Sequence, residues 1–296
     1  MTETTHLTKP ALLRRILAFP LTLLVLEALA IVALAIGFSW GAHKLGVMDK
    51  GPLQFGGVLV FVGLIVGLWK LLHRRLERTA DQEFTKDRAL PELGAGLIGG
   101  FALFSGVAAI VALLGGLEVL GLRGMGALWS MLSMAVFSGV FEETLFRGVL
   151  FRHIETMLGS WAALAITAAL FGAAHLANPG ATPFASLAVA MEAGILLGAA
   201  YLLTRGLWLA IGIHAAWNFT QGWVFSVPTS GGNAPLGLLI TRRIGPDWLT
   251  GGDFGLEASV VALVVATTAG LVLLAIAARK GRIVAPMWRR DRAATS

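Results

Sequence analysis

The sequence predicts an all-α, polytopic membrane protein of about eight transmembrane helices that enclose a cavity inside the bilayer. Three observations predict this. Of the 296 residues, 56% are hydrophobic and only 14% are charged, whereas a soluble domain carries about 25% charged residues. Apolar runs of the ~20 residues needed to cross ~30 Å of hydrocarbon recur along the whole length. The basic residues flank these runs instead of lining one face. So little polar sequence is left over that one membrane domain, 1–296, is expected, with no separate soluble domain.

Candidate spans are roughly 20–38, 53–72, 94–116, 127–151, 160–177, 184–204, 207–226 and 257–278, with ends placed to within about four residues. The first, second, third and eighth are clear. The middle four are separated by short connections. The first run lacks an A-x-A site after it and is read as a retained helix, not a removed signal peptide. The charged stretch 73–93 is expected to lie on the membrane as a cytoplasmic amphipathic connection. In span six, Gly194 and Gly198 form a small-xxx-small face that favours close packing. The stretch 227–256, rich in Gly and Pro, is expected to be an irregular extracytoplasmic loop with short turns. The corresponding broken helices of an inverted-repeat transporter are not found.

The net charge is +6 and there is no cysteine, so thiolate chemistry and disulfides are excluded. In a soluble protein this charge would suggest nucleic acid. Here it serves as a topology signal and meets anionic headgroups, and no nucleic-acid partner is expected. Of the 23 Lys and Arg residues, all but Lys44, Lys50, Arg123, Arg242 and Arg243 fall on one side of the predicted topology. That side includes Lys9, Arg14 and Arg292. The asymmetry places both termini in the cytoplasm and supports an even number of spans.

Charge within a span is costly and by default marks function. The clearest cases are Glu142, Glu143 and Arg147 in span four, His175 in span five, Glu192 in span six, and His214 with Asn218 in span seven. Glu27 in span one is a lone further case, read as a helix-contact residue. Glu143 and Arg147 are four apart and can pair on one helix face. Glu142 lies ~100° around the helix and is free to face a cavity. His214 and Asn218 project together. Phe171 sits one turn below His175 and can wall the same pocket. Asn178 precedes Pro179 and reads as a helix-ending turn residue. A turn at Gly159 would put Glu142 and His175 level, each ~25 Å from it, while His214 lies ~12 Å past a turn at Gly206. These depths agree only if the hairpin of spans four and five projects into the cytoplasm, for which Arg152, His153 and Glu155 are polar enough.

These residues resemble the CAAX protease and bacteriocin-processing family of intramembrane proteases, the Rce1-like or Abi proteins. The family shows EExxxR, FxxxH and HxxxN in this order on successive membrane helices. Here they stand as Glu142-Glu143…Arg147, Phe171…His175 and His214…Asn218. The likeness is strongest over 135–226, within a protease core of 127–226, and extends more weakly to 250–257. It implies an endopeptidase acting on a membrane-associated or lipidated peptide. Glu142 and His175 would activate water, and His214 and Asn218 would stabilise the oxyanion. Glu143, Arg147 and Phe171 would support them. Hydrolysis without a Ser or Cys nucleophile needs such a base and such donors.

Metal-free catalysis without a cofactor is the leading expectation. Zinc held by Glu142, His175 and His214 is the alternative, consistent with the family's frequent metalloprotease label, although HExxH is absent. A proton-coupled transporter and a non-catalytic membrane scaffold remain as other readings, since buried Glu and His also build proton relays. The Ala- and Gly-rich composition suggests a bacterial plasma membrane.

Overall fold

A computed structural model describes residues 15–47, 51–79 and 81–294, with side chains through residue 290. Lys9, Arg14, Lys50 and the side chain of Arg292, all used in the charge argument, lie outside what is described. Helix α1 runs Pro20–Lys44, α2 Pro52–Leu72 and α3 Lys86–Leu113. Pro20 and Pro52 sit at helix starts, where a missing N–H costs no hydrogen bond. The next helix is composite: α4 (Leu128–Glu143) passes into a π-helical stretch, Thr144–Phe151, and then into α5 (Arg152–Leu158). The chain reverses at Gly159, whose φ of 82° and ψ of 167° lie in a region open essentially to glycine alone. Helix α6 (Ser160–Ala174) ends in a 3-10 turn, His175–Ala177.

Helices α7 (Pro183–Val189) and α8 (Ile195–Thr204) are joined by a π turn, Ala190–Gly194. After a reversal at Arg205, α9 (Trp208–Phe219) runs into a further π turn, Thr220–Val224. A short α10 (Asp247–Thr250) and a 3-10 turn, Leu256–Ala258, precede α11 (Val260–Arg279), which Ser259 caps by accepting from the Ala262 amide at 3.1 Å. The last helix, α12, is Met287–Ala294.

Among the described residues, six helices are long and apolar enough to cross a membrane: Pro20–Lys44, Pro52–Glu77, Lys86–Leu113, Ser160–Ala177, Pro183–Thr204 and Val260–Arg279. The fourth and seventh expected spans, which carry Glu142, Glu143, Arg147, His214 and Asn218, are helical but outside this set. The outer faces stay apolar. On α1, Leu21, Val25, Leu29 and Ile36 are exposed while Ile31 is fully buried. A helix apolar on both its packed and its open face suits lipid.

Helix α9 is the packing centre. Gly96 and Gly100 of α3 meet it so closely that a Cβ on Gly96 would fall 2.5 Å from the Leu209 carbonyl oxygen. One on Gly212 would fall 2.6 Å from that of Leu93. On its other side, Gly139 of α4 approaches Ala215. The small face of span six behaves likewise: Gly194 and Gly198 lie against Ala168 and Leu164 of α6.

Three expectations are corrected. The stretch 73–93 is not one surface connection. His73–Glu77 continue α2 as a π turn, Lys86 opens α3, and Phe84 between them is buried in the core. The stretch 227–256 is more ordered than an irregular loop. It contributes β2 (Leu239–Arg243), which pairs antiparallel with β1 (Leu117–Leu122), and α10. That pairing is non-local, and no local turn signal announces it. Finally, Arg152, His153 and Glu155 find partners within the bundle instead of relying on water alone. Arg152 donates to Glu27 at 2.8 Å and to Glu77 at 2.9 Å, His153 lies 2.9 Å from Glu27, and Glu155 pairs with Arg205 at 2.5 Å. The hairpin's charges are satisfied inside the bundle, so water is not needed to solvate them.

Candidate active site

The site is built where the regular helical ladder breaks. Glu142 and Glu143 end α4, and Arg147 follows in the π stretch. Phe171 lies in the last turn of α6 and His175 opens the 3-10 turn beyond it. His214 and Asn218 are one turn apart on α9. Wide i→i+5 turns re-aim the side chains that follow them and often mark functional sites.

The expected pair forms. Arg147 Nη1 donates to Glu143 Oε1 at 2.9 Å, and both side chains are buried. Its Nη2 donates to the Ala193 carbonyl at 2.9 Å, and the guanidinium lies over the Phe171 ring, 4.8 Å from its centre. The pair does more than the spacing implied, because His214 joins it. His214 Nδ1–H donates to the same Glu143 oxygen at 2.9 Å. This hydrogen bond fixes the ring and turns Nε2 toward Glu142, whose Oε2 lies 4.0 Å away.

That separation is too long for a direct hydrogen bond and suits one bridging water. Glu142 Oε2 is buried and has no hydrogen-bond partner among the described residues. His175 Nδ1–H donates to the Phe171 carbonyl at 2.8 Å, which leaves its Nε2 as the free ring nitrogen. Asn218 Nδ2 donates to Ser138 Oγ at 3.0 Å. One amide N–H of Asn218 is thereby held in place and the other is left for a ligand.

A cavity of about 40 Å³, room for a few waters, is lined by Phe171, His175, His214 and Asn218 together with Glu192 and Glu257. The structure therefore brings His175, His214, Asn218 and Phe171 to one space. Glu142 is not among its walls and stands against His214. Glu192, given no role from sequence, lines it. Glu27 makes helix contacts with Arg152 and His153 and does not line this cavity.

Ser138 and Glu257 were missed. Ser138 lies four residues before Glu142, on the same helix face, and that spacing was the available signal. Glu257 follows Gly255 and Gly251, whose φ values of 122° and 73° build the turn that presents it; no local pattern ties it to the helices.

The residues do not fit the zinc alternative in this arrangement. Among the described residues, the ligand atoms of Glu142, His175 and His214 do not gather within 4.8 Å of one another, while those of Glu27, Glu77 and His153 do. At that second place Arg152 already neutralises both carboxylates.

Residues 124–220 match the family of type II CAAX prenyl endopeptidases, Rce1-like. The matched stretch holds all three motifs read from the sequence. No curated protein and no solved structure matches the chain. The chain is an integral membrane protein, and its residues 124–220 are similar to the Rce1-like type II CAAX prenyl endopeptidases.

Proposed function

We propose that the chain is an intramembrane endopeptidase that hydrolyses a membrane-associated or lipidated peptide with water activated by Glu142 and His175. The observation that carries this reading is the gap between Glu142 Oε2 and His214 Nε2, buried, 4.0 Å wide and flanked by the Glu143–Arg147 pair. Glu142 takes a proton from the water as it attacks the peptide carbonyl carbon. His175, whose free Nε2 faces the cavity, shares in orienting and deprotonating that water. The carbonyl oxygen becomes an oxyanion, which the second Asn218 N–H and His214 Nε2–H receive. The proton taken by the base then passes to the leaving amine as the C–N bond breaks.

His214 can donate from Nε2 while Nδ1 donates to Glu143 only as an imidazolium, and a carboxylate on each side suits that form. Arg147 holds Glu143 in place for the same purpose. No step is routed through a metal. Activity abolished by a strong chelator and restored by zinc would reverse that choice.

The test compares wild type with Glu142→Gln in membrane fractions and in purified form. General-base loss costs about 10²–10⁴-fold in rate, so peptides whose new termini depend on the carboxylate should vanish while the melting temperature in detergent holds. Unchanged termini would remove the reading. Substrate-coupled proton flux that survives Asn218→Ala would favour a transporter instead.

A further inference from the structure

Among the described residues the buried glutamates are Glu27, Glu83, Glu143, Glu155, Glu192 and Glu257. The first four each have a basic side chain within 4.0 Å: Arg152, His73, Arg147 and Arg205 in turn. Glu192 and Glu257 have none. Their exposures are 2% and 5%, and both line the cavity that holds His175, His214 and Asn218. Glu192 Oε2 has no hydrogen-bond partner. Glu257 Oε1 accepts from the Ser230 amide, with the Ser230 and Gln221 side chains close by. Arg147, which bonds the backbone of the same π turn, is committed to Glu143 and to the Ala193 and Gly194 carbonyls. Beside Glu257 the His175 ring of the same cavity is the basic group that bears on its charge, and two buried carboxylates with no Lys or Arg partner are costly and rare inside a membrane protein. Here both are aimed into the one space where a substrate would enter.

We propose that Glu192 and Glu257 form an acidic subsite that takes the cationic side chain of a Lys or Arg residue flanking the scissile bond. This rests on the endopeptidase reading and names the substrate class for it. The carboxylates reach the cavity from different elements, Glu192 from the π turn before α8 and Glu257 from the 3-10 turn before α11. With His175 they do not gather tightly enough to enclose a compact metal ion. An ammonium or guanidinium, with several N–H donors pointing in different directions, can satisfy separated oxygens. Its charged head would displace the few waters the cavity can hold. The same wall repels a carboxylate, so an acidic residue at that position is disfavoured.

The test uses the full chain in proteoliposomes with a library of membrane-anchored peptides carrying Lys, Arg, Gln or Glu at each position, read by mass spectrometry. Cleavage sites should lie beside Lys or Arg. The ratio of kcat/KM for a basic over a Gln peptide should fall at least tenfold in Glu192→Gln and in Glu257→Gln. Sites indifferent to charge, or a preference that survives both substitutions, would overturn the proposal.

A binding arm separates this from failure of the protease reading. n-Butylammonium should raise the melting temperature of detergent-solubilised wild type, n-butanol should not, and the double Gln variant should lose the response. If wild type cleaves no peptide, the endopeptidase reading fails and this arm alone decides the subsite. Equal responses of wild type and double variant would then end it.

Discussion

His214 is held through a chain of partners, and that makes its neighbours worth more than their own chemistry. Glu143 anchors Nδ1, and Glu143 is in turn held by a guanidinium that also stitches α4's extension to the π turn before α8. Removing Arg147 leaves a buried carboxylate without its cation, a change that costs about 3–5 kcal/mol. Arg147→Ala should therefore lower the melting temperature in detergent and abolish cleavage. Arg147→Lys should recover little, because one ammonium cannot reach the carboxylate and two carbonyls in the guanidinium's planar fork. Full stability and activity in Arg147→Ala would show that the pair does not organise the site. Ser138 gives a finer probe. It holds one Asn218 amide proton at 3.0 Å, so Ser138→Ala should let the amide rotate. The expected loss is on the order of tenfold in kcat with little change in KM, smaller than the 10²–10³ for deleting an oxyanion donor outright. A rise in KM alone would place Asn218 in substrate binding instead.

At the scale of elements, α9 delivers His214 and Asn218, and its position is set by backbone contact with α3. Gly212 packs on Gly96 with no room for a Cβ, which would meet the Leu93 carbonyl and the Gly96 Cα at 2.6 and 2.9 Å. Backbone cannot turn aside as a side chain can, so Gly212→Ala must push the two helices apart. Overpacking of this kind costs about 1–3 kcal/mol. The variant should still insert and fold but lose most of its activity as His214 moves away from Glu142; wild-type kcat would show that the crossing does not position the imidazole. The elements also mark what could be read in advance. The i,i+4 pair of Glu143 and Arg147 and the reversals near Gly159 and Gly206 follow from local rules and stand where expected. The π stretches do not follow from any local pattern. Thr144–Phe151 is apolar apart from Arg147 and Thr144 and is mostly buried, with no residue in it that marks a wider turn. The same limit hid β1 and β2, whose partners are more than a hundred residues apart.

Among the described residues, two groups of buried charge stand at different places in the bundle, apart from the Glu155–Arg205 pair. One serves the site. The other joins Glu27 of α1, His73 and Glu77 after α2, Glu83 of the following loop, and Arg152 of α5. Each of these residues was visible as a charge; Glu27 read as a helix-contact residue within span one, while those of 73–93 and Arg152 read singly pointed to membrane surface and cytoplasm, because a pattern along the chain does not reveal a partner across the bundle. This second group makes stability depend on pH in a definite direction. Burial by itself would raise the Glu83 carboxyl, but His73 at 3.5 Å and Arg152 at 4.0 Å outweigh it and hold the group below the usual carboxylate range. A carboxyl with a lower pKa folded than unfolded contributes stability that is present above the unfolded value, near ~4.3, and is lost as pH falls through the folded one. Melting of the detergent-solubilised protein should therefore drop between about pH 5 and pH 3, and the drop should be shallower in Glu83→Gln. Since every other carboxyl titrates in both proteins, the difference between the two curves isolates this contact. Parallel curves across that range would mean that Glu83 is as free in the folded chain as in the unfolded one, and that the loop between α2 and α3 is not tied to α5 through it.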